Sequence, residues 1–188
     1  MNEGESFAVK RISVICLAAL SIVFVSAAFS CAADYSSSIS REIRKFLKEG
    51  DWKYSFDSSK GVFTMGVSLK GELKNVDYSI RIHEKGYTVY AVSPVKADNE
   101  KASLMSEMAE FICRANYGLR NGNFELDFRD GEIRYKIFVD CDNRLPSKDI
   151  IENSIIIPGL MFQRYSVGMF DIMFRGSSAS RAISKCED

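Results

Sequence analysis

The chain has 188 residues, of which 46% are apolar and 12% aromatic, and its 25 basic residues are balanced by 25 acidic ones. This length and apolar content suffice for one domain with a hydrophobic core and exclude a mainly disordered chain. The even charge balance argues against a nucleic-acid binder, which normally carries a basic excess or stripe, and against attachment to anionic lipid through a polybasic patch.

The first 33 residues have the layout of an export signal. Lys10 and Arg11 precede an uncharged, mostly apolar run from Ile12 to Ala33, and this run ends in small residues suited to cleavage. We therefore predict a signal peptide over residues 1–33 and a folded, periplasmic or secreted domain over residues 34–188. Two alternatives stay open. The run is long enough to remain as a membrane anchor, or Cys31 is lipidated, although Phe29 is bulky for a lipoprotein processing site.

Five cysteines are present, and export would place them in an oxidising compartment where disulfides form. Both Cys141 and Cys186 lie near the ends of predicted elements, so they are the pair we predict if a disulfide exists. Cys113 lies beside the apolar face of a predicted helix and is expected to be a buried free thiol. No CxxC or Cys/His spacing indicates a metal, and we predict no cofactor.

The predicted domain begins with a helix and a run of strands. Serines at 36–38 can cap a helix whose apolar residues recur at helical spacing from Ile39 to Leu47, and Gly50 is a natural stop. Alternating apolar and polar residues then predict an antiparallel meander. Its strands start at Trp52 and cover residues 62–69, 76–82 and 87–92.

A second helix follows, capped by Asp98 or Asn99 and ending at Gly118 and Gly122. Its apolar stripe contains Met105, Met108, Ala109, Ile112, Ala115 and Leu119.

The next segment predicts a β-hairpin with a two-residue turn at Asp130-Gly131, because glycine tolerates positive φ there and aspartate does so better than most residues. Such a turn would place all the apolar residues on one face of the hairpin. The predicted pairs are Phe128 with Ile133, Leu126 with Tyr135, and Phe124 with Ile137.

The C-terminal region predicts helices. Ser147 is suited to cap the first, and Pro158-Gly159 is expected to kink or break it. The continuation, residues 160–174, ends at Gly176, and residues 177–185 predict a last short helix.

Two blocks of the sequence resemble the YbjN family. They are a helix ending RANYGL followed by GNFELDFRDGEIRYK, and the tail FQRYSVGMFDIMFRGSSASRAISKCE. The resemblance implies an α+β fold like that of the type III secretion chaperones: a twisted antiparallel sheet with packed helices, in the order α-β-β-β(-β)-α-β-β-α. Members of that fold class often dimerise and bind protein segments, and the family has a suggested regulatory role but no agreed activity. Many family members lack an export signal and look cytoplasmic, whereas this chain has a predicted one, which puts a cytoplasmic regulatory role in doubt.

Five residues in the central block are expected to be structural rather than catalytic. Gly118, Gly122 and Gly131 suit left-handed backbone at helix exits and turns, Asp130 suits the hairpin turn, and Asn116 can hydrogen-bond the turn and hold the helix to the hairpin.

Signals for an enzyme are few. His83 is the only histidine and lies on the polar side of a strand, just before a turn, where a solvent-exposed role is expected. Asp140 and Asp142 lie in a segment without the glycine and glutamate of an EF-hand. We therefore predict a protein without catalytic, cofactor or metal residues. The alternative, a thiol- or His-dependent hydrolase, requires Cys113 or Cys141 to lie beside His83.

The last long helix is richer in apolar residues than one buried face needs, so it is the candidate partner surface. Core packing is the competing interpretation of these side chains. The sequence hypothesis is accordingly a protein- or peptide-binding, regulatory module of the bacterial envelope, whose partner is a second copy or another envelope protein. A structural lipoprotein fixed by Cys31 is a further alternative. The candidate residues are Met161, Phe162, Tyr165, Met169, Phe170, Met173 and Phe174.

Overall fold

The structure, a computed structural model, describes residues 35–187, so the predicted signal segment lies outside the described residues. Within them no helix is both long and apolar enough to cross a bilayer. The helices are α1 (Ser37–Glu49), α2 (Ala102–Tyr117), α3 (Lys148–Arg175) and α4 (Ala179–Glu187). The strands are β1 (Ser55–Asp57), β2 (Val62–Ser68), β3 (Asn75–Ile82), β4 (Gly86–Val92), β5 (Asn123–Leu126) and β6 (Ile133–Asp140).

The six strands form one antiparallel sheet in the order β1-β2-β3-β4-β6-β5. Alternate residues such as Phe63 and Ile80 are fully buried, whereas Thr64, Asp77 and Arg81 between them are exposed. Helices therefore cover one face of the sheet, and the other face is open over β2 and β3. The predicted α+β class, element order and antiparallel sheet are confirmed, with the optional fourth strand present.

The start of α2 differs from the prediction. The helix begins after Lys101, whose side chain makes no capping hydrogen bond. Asp98 instead accepts from the backbone N–H of Glu100, and Asn99 donates to the carbonyl of Arg129 at 2.8 Å. The predicted caps were wrong because both side chains stabilise the preceding turn and its contact with the hairpin loop.

The β5–β6 hairpin has a wider loop than predicted. Asp127 accepts from the backbone N–H of Arg129, and two backbone bonds, Asp127 N–H to Glu132 O and Gly131 N–H to Asp127 O, close a six-residue connection. The two-residue turn was therefore wrong, and Phe128 lies in the loop, 60% exposed. The observed pairs are Phe124 with Tyr135 and Leu126 with Ile133, a shift of two residues that keeps these paired side chains on their predicted face.

The longest helix, α3, continues through Pro158-Gly159, so of the predicted kink or break the break does not occur. A proline inside a helix removes one backbone hydrogen bond and costs about 3 kcal/mol, which packing on the sheet must offset. The Tyr78 hydroxyl from β3 donates to the carbonyl of Ile155 at 2.8 Å, one turn before the proline. Gly159 leaves room for this contact, since a Cβ there would lie 3.2 Å from the Tyr78 oxygen.

Candidate binding surface

The seven predicted partner residues on α3 divide into three groups by burial. Phe162, Tyr165 and Met169 are almost completely buried, and core packing accounts for them. Met161, Phe170 and Met173 are half-buried against the core, whereas Phe174 is 64% exposed. The predicted surface is thus mostly the inner side of the helix.

An aromatic cluster explains why the inner face is closed. The Phe124 ring from β5 meets the rings of Tyr135, Phe162 and Tyr165 edge-to-face, with centroids 4.8, 5.3 and 5.7 Å apart. Edge-to-face pairs at these distances add about 0.5–1.5 kcal/mol each beyond the area they bury. These contacts join α3 to the β5–β6 hairpin and leave none of the four rings available to a partner.

The opposite side of α3 carries a second apolar row, here called the outer seam. Leu160 is 49% exposed and Phe174 is 64% exposed, and Phe170 packs edge-to-face on Phe174 at 5.3 Å. Sequence reasoning missed Ile156, Leu160 and Val167, although their spacing from the two phenylalanines was readable as a helical row. The outer seam consists of Ile156, Leu160, Gln163, Val167, Phe170 and Phe174.

Helix α4 covers one flank of α3, and a buried carboxylate holds the two helices together. The Asp171 side chain is 2% exposed and forms ion pairs with Arg175 and Lys185. Hydrogen bonds from these two cations lower the pKa of Asp171 below its ordinary value. Glu107 of α2 accepts from the backbone N–H of Ala179 at 2.7 Å and so holds the start of α4. This latch fixes α4 beside α3, and the outer seam lies on a different side of the helix.

The β5 edge of the sheet is closed by Asn116. Its Oδ1 accepts from the Phe124 backbone N–H at 2.8 Å, and its Nδ2 donates to the Phe124 carbonyl at 3.0 Å. The carboxamide therefore occupies the outward-facing donor and acceptor of Phe124, which a further strand would otherwise use. At the other edge, β1 has three residues, and the Arg44 guanidinium lies 4.4 Å from the ring centroid of Phe56. Partner binding by strand addition is consequently disfavoured at β5, and at β1 only a three-residue strand is available for it.

The structure does not bring a thiol to the histidine. His83 is half-buried and its Nε2 hydrogen-bonds Thr88 Oγ1 at 2.8 Å, and among the described residues no hydrogen bond joins it to a cysteine. Cys113 is exposed on α2, so the expectation of a buried thiol was wrong.

The predicted Cys141–Cys186 disulfide is absent, since both are free thiols held on different elements. Cys141 Sγ donates to the Val139 carbonyl, and Cys186 Sγ donates to the Ala182 carbonyl at 3.4 Å. Burial raises the pKa of both thiols, which reduces their thiolate fraction at neutral pH.

The acidic segment after β6 is engaged by its neighbours. Asp142 forms an ion pair with Lys85 at 2.9 Å, and Asp140 accepts from the backbone N–H of Asp142. Across residues 35–187 no group of three or more His, Cys, Asp or Glu side chains is placed to hold a metal ion.

A shallow trough of about 640 Å³ lies on the open face of the sheet. Its lining includes Thr64, Gly66 and Ser79, together with the charged side chains of Lys53 and Asp77. The two charged side chains have opposite sign and the remaining polar side chains are serine, threonine and tyrosine hydroxyls, so no particular ligand chemistry is favoured there.

Comparison with known proteins shows a likeness of fold. No family model and no curated protein matches the chain. The crystal structure of YbjN, a proposed transcription regulator from E. coli, matches with a TM-score of 0.50 and 12% identity, over 67% of this chain and 90% of that chain. The resemblance drawn from the central block and the tail is thereby confirmed at the level of the fold.

Proposed function

We propose that this protein is an exported, non-enzymatic module of the bacterial envelope that binds another polypeptide through the outer seam of α3 and acts as a regulator. The observation that carries the proposal is the row itself, in which Ile156, Leu160 and Phe174 are 40%, 49% and 64% exposed. A row of this kind on a soluble domain is typical of a surface that a partner covers.

Three further observations support the proposal. The basic residues followed by the apolar run of residues 12–33 are typical of export. His83 is engaged with Thr88 rather than with a thiol, which leaves the hydrolase alternative without its central pair. The structurally similar YbjN is a proposed regulator; because this chain has no net charge, a regulatory role here suits contact with proteins better than contact with DNA.

The binding surface is tested by site-specific photocrosslinking in cells that express the full-length chain. A photoreactive side chain replaces Leu160 on the outer seam, and the matched control replaces Ile150, which is 40% exposed on the same helix but off the seam. We expect a discrete protein adduct from position 160 and none from position 150. Equal labelling at the two positions, or none at either, would contradict the proposal.

The export part of the proposal has its own test. Leu20→Arg places a charge in the apolar run and should retain the protein in the cytoplasm, because a charged residue there strongly disfavours membrane insertion. Fractionation of cells with a C-terminally tagged chain measures the location, and the mass of the product separates cleavage from anchoring. Cys31→Ala should leave that mass pattern unchanged unless lipidation occurs. An unchanged location for Leu20→Arg would exclude export by this segment.

A further inference from the structure

We infer that the partner of the outer seam is the outer seam of a second copy of this chain, paired in parallel and in register. This inference rests on the proposed function, because it names the partner of the same surface. It depends on the spacing of the seam, on its single polar position and on the charge beside it.

The spacing is that of a coiled-coil seam. From Ile156 to Phe174 the six positions are separated by four, three, four, three and four residues, which are the a and d positions of a heptad. The row extends about 27 Å at 1.5 Å per residue. The same spacing continued toward the N-terminus reaches Asn153 and Asp149, so the apolar part begins at Ile156. A helix with this repeat packs best on another helix with the same repeat, and a second copy supplies one.

Gln163 favours the parallel arrangement. Among the six positions it alone carries a polar side chain. In a parallel, in-register pair the two Gln163 amides lie opposite each other, where each can donate to and accept from the other. An antiparallel pair centred on the seam would place Gln163 against Val167 and leave part of the amide without a partner, at a cost of about 1–3 kcal/mol for a buried group.

Arg164 points to the same orientation. Its side chain is exposed beside the seam, and its Nε donates to the Cys186 carbonyl at 2.9 Å. In the antiparallel pair the two Arg164 side chains would meet near the two-fold axis and repel each other. In the parallel pair the two Arg164 side chains lie on opposite sides of the seam and do not meet. The parallel two-fold pair is closed, so it forms a dimer and not a filament.

The size of the surface sets the expected strength. Stable interfaces bury about 800 Å² per partner. A single helix pair about 27 Å long buries an area at or below that value. We therefore expect a reversible dimer with a dissociation constant in roughly the micromolar range, formed at high local concentration.

The pairing is tested by sedimentation equilibrium of the protein as the cell produces it, from about 1 to 500 μM, a range chosen to bracket micromolar dissociation. Wild type should dimerise across this range. Leu160→Glu should weaken association by about tenfold or more, because it places two like charges in the seam. Ile150→Glu is the matched control and should dimerise like wild type. Circular dichroism of both variants verifies folding. A wild type that is monomeric throughout, or equal effects of the two substitutions, overturns the inference.

Substitutions at Gln163 test the orientation without disturbing the core. Gln163→Glu and Gln163→Lys should each fail to self-associate, and an equimolar mixture should form a heterodimer, because position 163 faces itself in the parallel pair. Gln163→Leu should tighten the dimer by about tenfold. A mixture that stays monomeric while wild type dimerises overturns the parallel pairing.

The two proposals fail in different ways. A crosslinked adduct of Leu160 with a different protein, together with a monomeric purified chain, overturns self-pairing and leaves the proposed binding function in place. The absence of any adduct in cells, together with a monomeric chain, removes both.

Discussion

The inner and outer faces of α3 are built from the same kinds of side chain, yet one is enclosed by the sheet and the other is exposed. Phe162 and Met169 on the inner face are buried, whereas Leu160 and Phe174 on the outer face are 49% and 64% exposed. Amino-acid type therefore did not separate core from candidate interface in this helix. The separation comes from angular position relative to the Tyr78 contact with Ile155, which fixes the side of α3 that faces the sheet.

The largest expected effect is on the inner face. Phe162→Ala should lower the free energy of unfolding by about 3–5 kcal/mol, because it empties a buried aromatic site, whereas Leu160→Ala should change it by less than about 0.5 kcal/mol. Urea denaturation of the two variants at a protein concentration that keeps them monomeric measures the difference. Similar losses for both would break the distinction between the faces.

The next effect concerns the latch on the flank of α3. Asp171→Asn removes the charge that pairs with Arg175 and Lys185 and should cost about 1–3 kcal/mol of unfolding free energy. Glu152→Gln, an exposed acid on the same helix, is the control and should be nearly neutral. The measurement is again urea denaturation, and dimerisation should be unaffected by Asp171→Asn if the outer seam acts independently of the latch.

A comparable effect is expected at the β5 edge. Asn116→Asp keeps an acceptor for the Phe124 N–H but loses the donor to the Phe124 carbonyl, and should cost about 1–2 kcal/mol. Asn116→Ala loses both contacts and should also increase light scattering on storage, because it uncovers an unpaired strand edge. Asn121→Ala is an exposed control in the loop between α2 and β5. Scattering by Asn116→Ala no greater than by the control would contradict the edge-closing role.

The smallest expected effect is the pH dependence of the unfolding free energy. Cation and backbone hydrogen bonds lower the pKa of Asp171 and Asp130, and an Arg129 hydrogen bond lowers the pKa of Asp127 to about 2. Depressed carboxyl pKa values stabilise the fold above the unfolded-state pKa of about 4, and this contribution is lost as pH falls through the folded-state values. Unfolding free energy should therefore decrease below about pH 4, with a shallower decrease in Asp171→Asn.

The outer seam has no titratable group, so dimerisation of the folded protein should change little between neutral pH and the onset of acid unfolding. Sedimentation at several pH values measures this. A steep pH dependence of association above that onset would show that groups outside the seam control pairing.

The sequence predicted the elements and the strand faces well because both follow from apolar periodicity. Phe124 and Leu126 were assigned to the correct face although their partners were displaced by two residues, since such a shift leaves the alternation intact. The loop length was not predictable in the same way. The Asp127 carboxylate, which accepts from Arg129, favours the six-residue loop, whereas Asp130-Gly131 favours a two-residue turn. Apolar periodicity does not decide between the two loops.

The candidate surface was harder to predict than the fold. On a single helix, a row that faces the core and a row that faces a partner have the same spacing. In addition, a break at Pro158 would have placed Ile156 and Leu160 on different helices. The Tyr78 contact with Ile155 decides which side of α3 faces the sheet. It joins residues about 80 positions apart in the chain. Long-range packing of this kind has no local signature.

The Asn116 contact has a consequence for the order in which the fold forms. It joins residues eight positions apart, whereas the Tyr78 contact with α3 spans 77. Closing a short loop costs less entropy and is faster than closing a long one. We therefore expect the β5 edge to be protected while β4 and α3 are still unpacked. A partly folded chain would then already have one of its two strand edges blocked against pairing with another chain.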